Sequence, residues 1–435
     1  MKHAAAGRWP IAAGLLATSL LGAACGEVTD TPSPPGPTVT TMVPGPTVVP
    51  TTDAPTTDTT VPTDTTSPGT PSTDTTIPTD ISVPDTTVPE TTVPTDTTVP
   101  ETTVPTSTPG CDGERPEGND GAGFFVDTGA IYDPNGCEFV PMGFNGAVFW
   151  NVTVGGSKGA HGDLHTASLA DMSAAGANTV RINSQTAGAF GWNANPGTQR
   201  ELVQAAVDAD LVPILEMHDA TCSNGSIDAV LDYWTTPEMV ALAQDFDDSL
   251  WINLANEHTF SSPEEWRDTY RATITELRSL GVTNPIVLDS GANCGQNPES
   301  FLLYGQDVLE SDPMHNVILS IHMYGFWRTG PGSGEGFTPP NEVGEQLAAL
   351  RDTGVPIIIG EFGWDEPAAD DVPYDAATVV ETAQDLGIGW TYWAWYTDTA
   401  NHRAVTGLDQ PGSPTAAGSY LLPYLEANAA KATNL

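Results

Sequence analysis

Leu250 to His258 read LWINLANEH. Leu250, Trp251, Ile252, Leu254 and Ala255 form an apolar run of strand length, yet the run closes on an amide and an acid, Asn256-Glu257. A buried strand has little reason to finish this way unless its end is where chemistry occurs. Working outward, the same form recurs. Short apolar runs predict strands at Phe139–Phe144, Asn178–Ile182, Val212–Met217, Trp251–Ala255, Ile286–Asp289, Val317–His322, Ile357–Gly360 and Gly389–Trp393. Longer amphipathic runs separate them. In SPEEWRDTYRATITELRSLG, Ser262 is the expected N-cap, Pro263 opens the first turn and Gly281 stops the helix. Ahead of the first strand, GFFVDTGAIYDPNGCEFVPMGFN alternates around Asp133-Pro134-Asn135-Gly136 and reads as a small hairpin.

Eight strands alternating with helices predict an α/β fold, a (β/α)8 TIM barrel. A doubly wound nucleotide-binding sheet fits less well, because GFNGAVFW after the first strand offers aromatics where a glycine-rich phosphate loop belongs. Barrel chemistry lies at the C-terminal strand ends. Those ends carry Arg181, His218-Asp219, Asn256-Glu257, Asp289, His322 with Tyr324, Glu361, and Trp393 with Trp395. One polar strand end is unremarkable, whereas a ring of them marks a site. Two facing carboxylates, Glu257 and Glu361, are what glycoside hydrolysis needs: one handles the proton of the leaving oxygen and the other attacks the anomeric carbon or activates water.

The rest of the chain divides by composition. Residues 1–25 begin with Lys2 and Arg8, continue through an apolar core from Ile11 to Leu21 and end in Gly22-Ala23-Ala24-Cys25, which reads as an export signal. LLGAAC resembles a lipobox, with Cys25 the expected lipidated residue. That makes the protein a cell-surface lipoprotein, or a secreted one if the signal is an ordinary cleaved type. Residues 26–110 hold a loose repeat, as in DTTVPETTVPTDTTVPETTVP, with no aromatic residue, lysine or arginine. Such a segment cannot bury enough surface to offset its ordering entropy, so a disordered stalk is expected. At about 3.1 Å per residue in an extended polyproline-like form it would reach on the order of 250 Å. Residues 111–435 form the expected catalytic domain, with no separate binding module.

The chain has 13 Lys and Arg against 56 Asp and Glu, a formal net charge of −43. This excludes nucleic acid as a partner and suits a neutral polysaccharide. Setting Cys25 aside leaves four cysteines, and export permits disulfides. Cys111 is expected with Cys137, and Cys222 with Cys294, although spacing alone does not settle the connectivity. The second bridge would join the loops flanking the one that carries Glu257 and stiffen that side of the cleft. The spacings do not suggest a zinc site. No metal or organic cofactor is implied, the only membrane contact expected is the lipid at Cys25, and a monomer is expected.

The blocks ANTVRI, VPILEMHDAT, INLANE, SIHMY, IIIGEFG and GWTYWAW occur in the order and approximate spacing of glycoside hydrolase family 5, a retaining (β/α)8 family. The resemblance runs from about Gly123 to Leu422 and looks closest to the bacterial β-mannanase branch. It implies Glu257 as general acid/base and Glu361 as nucleophile. Asn256 would bond the sugar 2-hydroxyl, Arg181 would keep Glu361 ionised, and Tyr324 would donate to it. His218 and His322 would position the same cluster, Trp393 would stack beneath the sugar, and Asn145 is a further candidate at the rim. The expected reaction is endo hydrolysis of β-1,4-mannan, with β-1,4-glucan hydrolysis, or a non-catalytic carbohydrate-binding protein, as the alternatives. His258 departs from the family, which has Pro or, in the mannanase branch, Trp after the acid. It changes the wall beside Glu257 and is expected to influence that group's pKa.

Overall fold

A computed structural model describes residues 111–149, 153–154, 157–158, 166–186, 195–327, 343–363, 376–397, 402–407 and 413–430. The export signal, Cys25 and the stalk lie outside the described residues, as do Trp150, Trp192 and Trp364. Eight strands close a barrel: β1 (Met142–Asn145), β2 (Thr179–Ser184), β3 (Val212–Met217), β4 (Trp251–Asn253), β5 (Ile286–Asp289), β6 (Val317–Met323), β7 (Ile357–Phe362) and β8 (Gly389–Tyr392). All neighbouring pairs are parallel and β8 pairs with β1 to complete the ring.

The helices return the chain to the base of the next strand. They are α1 (Ala167–Ala174), α2 (Pro196–Asp208), α3 (Asp228–Trp234), α4 (Pro237–Asp245), α5 (Pro263–Ser279), α6 (Glu299–Ser311), α7 (Val343–Arg351), α8 (Ala376–Leu386) and α9 (Ala416–Asn428). None of the described helices is long and apolar enough to cross a membrane. Helix α5 follows its sequence signals. Ser262 caps it by accepting from the Glu265 N–H at 3.3 Å, and Pro263 costs nothing at a position with no helical acceptor. Its buried face is Trp266, Tyr270, Thr273, Ile274 and Leu277, and Gly281, at φ +82°, takes the left-handed turn after it.

The entry to the barrel departs from the sequence expectation in two places. The first strand begins at Met142 rather than Phe139, because Pro141 has no N–H for the ladder and Phe139 instead donates to Ile131 O at 2.8 Å. The hairpin pairs Phe125–Asp127 with Ala130–Tyr132 and turns at Thr128-Gly129, both at positive φ. Asp133–Gly136 forms a separate turn, in which Asp133 Oδ1 accepts from the N–H groups of Asn135 and Cys137.

Alternation along the strands creates two environments. Val212, Ile214, Trp251, Val287, Ile318 and Ile358 point into the barrel and form one buried cluster with Phe124, Val126, Ile131 and Phe139 of the N-terminal segment. Leu215, Ile252, Leu288, Leu319 and Ile359 point outward into the larger core shared with the helices. One step further along the inward face, the side chains turn polar. Arg181, Asn183, Glu216, Asn253, Asp289, Ser320 and His322 are all buried there. The apolar layer closes the bottom and the polar layer forms the floor of the opposite mouth.

Candidate active site

Between the end of β4 and Glu257 the chain runs through Leu254, Ala255 and Asn256, and Glu257 itself takes a left-handed backbone, φ +52°. Its N–H donates to Asp289 Oδ2 at 3.1 Å. That turn aims the Glu257 side chain over the barrel mouth, so the strand ends in an acid in order to deliver it there. Glu361 arrives from β7, where the pairing with β6 slips between Ile321 and His322 so that His322 pairs with Glu361. Gly360 makes the slip possible, since a Cβ there would collide with Ser320 Oγ.

Both carboxyls are buried, with Glu257 6% and Glu361 3% exposed. His322 lies between them, its Nδ1 2.8 Å from Glu257 Oε1 and 3.8 Å from Glu361 Oε2. One oxygen of each carboxyl and a ring nitrogen of His322 all lie within 4.8 Å of one another. Oxygens this close fit the separation of about 5 Å used for retention.

Arg181 sits beneath Glu361. Its Nη1 donates to Glu361 Oε1 at 2.6 Å and Asn145 Oδ1 at 3.0 Å, Nε to Asn253 Oδ1 at 2.9 Å, and Nη2 to Asn256 Oδ1 at 2.7 Å and Asp289 Oδ2 at 3.4 Å. Burial works against its charge, but the Glu216, Asp289 and Glu361 carboxylates outweigh burial. Tyr324 donates its hydroxyl to Glu361 Oε2 at 2.9 Å. Asn256 Nδ2 donates to Thr221 Oγ1 at 2.8 Å, fixing the amide plane beside Glu257.

The two acids are pushed apart electrostatically. Burial, reinforced by the Glu361 charge, raises Glu257 above the usual carboxylate range against the His322 hydrogen bond. For Glu361 burial acts in the same direction but loses to the His322, Arg181 and His218 charges and the Tyr324 hydrogen bond, so its pKa is lowered. Burial would lower His322, yet Asp289, Glu361 and Glu257 together lift it to about 9. His322 therefore stands between a carboxyl whose pKa is pushed up and one whose pKa is pushed down.

The pattern characteristic of cellulase, glycosyl hydrolase family 5, matches residues 132–399. The chain belongs to glycosyl hydrolase family 5. It is similar to a mannan endo-1,4-β-mannosidase of Salipaludibacillus agaradhaerens, 32% identical over 278 residues that span 63% of this chain and 82% of the relative. Among solved structures, the catalytic domain of a mannanase from Streptomyces sp. SirexAA-E is similar at a TM-score of 0.61 with 29% identity, covering 72% of this chain and 95% of that one. A β-mannanase from Streptomyces thermolilacinus, solved with mannohexaose, has a TM-score of 0.61 and 27% identity, covering 72% and 98%.

Within this family 5 enzyme, the structure brings His218, Asn256, Glu257, His322, Tyr324, Glu361 and Trp393 together around the mouth, whereas Asn145 and Arg181 lie below it and Trp395 is buried. Asn145 is fully buried, with Nδ2 donating to the Gly360 and Thr391 carbonyls and Oδ1 accepting from Arg181 and Asn183. It braces Arg181, and Arg181 contacts Glu361; both side chains are fully buried. The two tryptophans that follow β8 also separate. Trp395 is fully buried against Phe144, with ring centroids 5.1 Å apart, whereas Trp393 is half-buried and lies parallel to His218 at 5.7 Å and 19°. Residues two apart share a face only while a strand continues, and β8 ends at Tyr392. Trp234 and Trp327 are core residues, their indole N–H groups bonded to the Leu254 and Gln296 carbonyls.

His258 does not reach Glu257. Its ring packs edge-on against Phe260 at 4.6 Å, burial lowers its pKa, and Glu265 is the charge that opposes this. Both expected disulfides are present, Cys111–Cys137 and Cys222–Cys294. Sequence reasoning missed Asn183, Glu216 and Asn253 altogether, and gave Asp289 no role. Glu216 Oε1 lies 2.7 Å from His218 Nδ1 and accepts from Asn183 Nδ2 at 2.7 Å; its charge outweighs burial to raise His218. Asp289 Oδ1 accepts from Asn253 at 3.1 Å, while Oδ2 lies 3.3 Å from His322 Nε2. The signal that would have found them is their parity with Arg181 on inward-facing strand positions.

Proposed function

We propose that this family 5 enzyme is an endo-acting β-1,4-mannanase in which Glu361 is the nucleophile and Glu257 the acid/base. The observation that carries the roles is the opposite displacement of two buried carboxyls less than 5 Å apart, Glu257 upward and Glu361 downward. In the first step Glu361 attacks the anomeric carbon while Glu257 passes its proton to the leaving oxygen. In the second, the Glu257 carboxylate takes a proton from water as that water displaces Glu361 from the sugar. Arg181 and Tyr324 hold the Glu361 charge in place, and the Asn256 amide is oriented to bond the 2-hydroxyl of the reacting sugar. Trp393 supplies a flat apolar face beneath that sugar, beside His218.

The mannanase names of the similar proteins support mannan as the substrate, and the chain's net charge of −43 suits a neutral polymer. The cellulase description of the family keeps β-1,4-glucan as the second reading. Residues 1–25 are read as an export signal with lipidation at Cys25, and residues 26–110 as the stalk holding residues 111–435 away from the cell envelope as a monomer. Initial rates of reducing-end release from galactomannan, glucomannan and carboxymethylcellulose test the assignment, with Glu361→Ala as the control. Galactomannan should be cleaved fastest. A fastest rate on carboxymethylcellulose would replace mannan by glucan, and undiminished activity of Glu361→Ala would remove the mechanism.

A further inference from the structure

The Cys222–Cys294 disulfide lies against the carboxyl group of Glu257. Cys222 Sγ is 3.5 Å from Glu257 Oε2, the oxygen that His322 does not engage. The Cys222 N–H donates to the Glu257 carbonyl at 3.1 Å, and the Thr259 N–H donates to Ser223 O at 2.9 Å. From the other half-cystine the chain passes at once to Gly295, whose carbonyl accepts from the His322 N–H at 2.9 Å. A Cβ on Gly295 would stand 3.3 Å from Glu257 Cγ and 3.2 Å from His322 Cγ. Two loops, one after β3 and one after β5, therefore close on the same carboxyl, and the disulfide ties them together.

Left-handed backbone collects at this spot. Cys222 (φ +51°), Glu257 (φ +52°), Asn293 (φ +50°) and Cys294 (φ +52°) all adopt it, and Gly295 follows at φ +72°. Side chains other than glycine rarely occupy that region, and they stay there only where the surroundings over-determine it. Here the surroundings are the bridge on one side and Asp289, holding the Glu257 N–H, on the other.

We propose that the Cys222–Cys294 disulfide is a positioning element for the acid/base, holding the Glu257 carboxyl toward the glycosidic oxygen and covering Oε2 with sulfur in place of water. The inference rests on the reading of Glu257 as the acid/base. Sulfur is a weak acceptor and solvates a carboxylate poorly. The bridge thus adds to the burial that pushes the Glu257 pKa up, while the cross-link keeps the carboxyl in line with the leaving group. Opening the bridge would let water reach Oε2 and free the turn. A displacement of about 1 Å at a catalytic group costs up to about 100-fold in rate.

The test uses the full-length enzyme and two substrates, β-1,4-mannan and 2,4-dinitrophenyl β-mannobioside, whose leaving group departs without a proton. In Cys222→Ala/Cys294→Ala, kcat/KM on mannan is expected to fall about 10- to 100-fold. The value on the dinitrophenyl glycoside stays near wild type, and the basic limb of the mannan pH profile moves to lower pH. Cys111→Ala/Cys137→Ala, which opens the other bridge, should show neither effect. Equal losses on both substrates, or an unmoved basic limb, would overturn the proposal. Wild-type enzyme reduced in place gives a second reading that does not depend on refolding a variant: full mannan activity with both thiols free by mass spectrometry refutes the role. Glu257→Ala separates the two layers. If it loses mannan activity but keeps the dinitrophenyl kcat/KM, the acid/base assignment stands whatever the bridge variant does; if it loses both alike, that assignment fails first.

Discussion

Asp289→Asn removes one charge from beneath the acid pair while keeping the shape of the side chain. Among the groups that lift His322 to about 9, Asp289 leads, with Glu361 and Glu257 following and burial opposing them. A histidine with an unfolded value near 6.5 and a folded value of about 9 contributes about 3 kcal/mol of stability. Because the folded value is the higher one, that contribution is complete below pH 6.5 and disappears as the pH climbs through 9. The net rise remains after burial has been overcome, so the largest of the four raising effects, that of Asp289, accounts for at least a quarter of it, about 1 kcal/mol. Urea unfolding of wild type and Asp289→Asn, below about pH 6 and above about pH 9.5, reads this directly. Wild type should lose more stability between those two conditions than the variant does. His218 and Glu257, also displaced upward, remain in both proteins and cancel in the comparison. An identical loss in the two proteins would show that Asp289 does not hold the His322 proton, and the electrostatic account of the acid pair would fall with it.

Tyr324→Phe deletes the hydroxyl donated to Glu361, a hydrogen bond to a charged group worth about 1.5–3 kcal/mol, so kcat/KM should fall about 10- to 100-fold. The acidic limb of its pH profile should move upward, since the carboxylate loses one of the groups that favour its charge. Trp393→Ala should raise KM on soluble mannan with little change in melting temperature, whereas Trp395→Ala should cost about 3–5 kcal/mol of stability because that indole is fully buried. Calorimetry and steady-state kinetics on the same pair separate the two. Ser262→Ala should lose about 1 kcal/mol in urea denaturation through the helix cap and leave kcat unchanged.

Much of the barrel was legible because each strand is a short apolar run with its own boundary signals. Val212–Met217 and Ile286–Asp289 begin and end where their residues predict. Errors arose where a proline or a pair of left-handed residues redirected the chain, at Pro141 and at Thr128-Gly129. Glu257 and Glu361 stood out because a charge at the end of an apolar run is conspicuous. Glu216 and Asn253 did not, since each lies within its strand, and only closure of the sheet shows that their inward neighbours are Arg181, Asn183 and Asp289.

The sequence by itself thus determined the alternation of strand and helix, the rim at which polar residues gather, and the two acids that face one another. Tertiary structure decided that the two carboxyls are pushed in opposite directions, that Asn145 and Arg181 are fully buried beneath Glu361, that His258 packs on Phe260, and that a disulfide rests on Glu257. Those outcomes depend on through-space distance and on how much water each group retains. Neither quantity is encoded in the spacing of residues along a chain, because both are set by segments that meet only when the barrel closes.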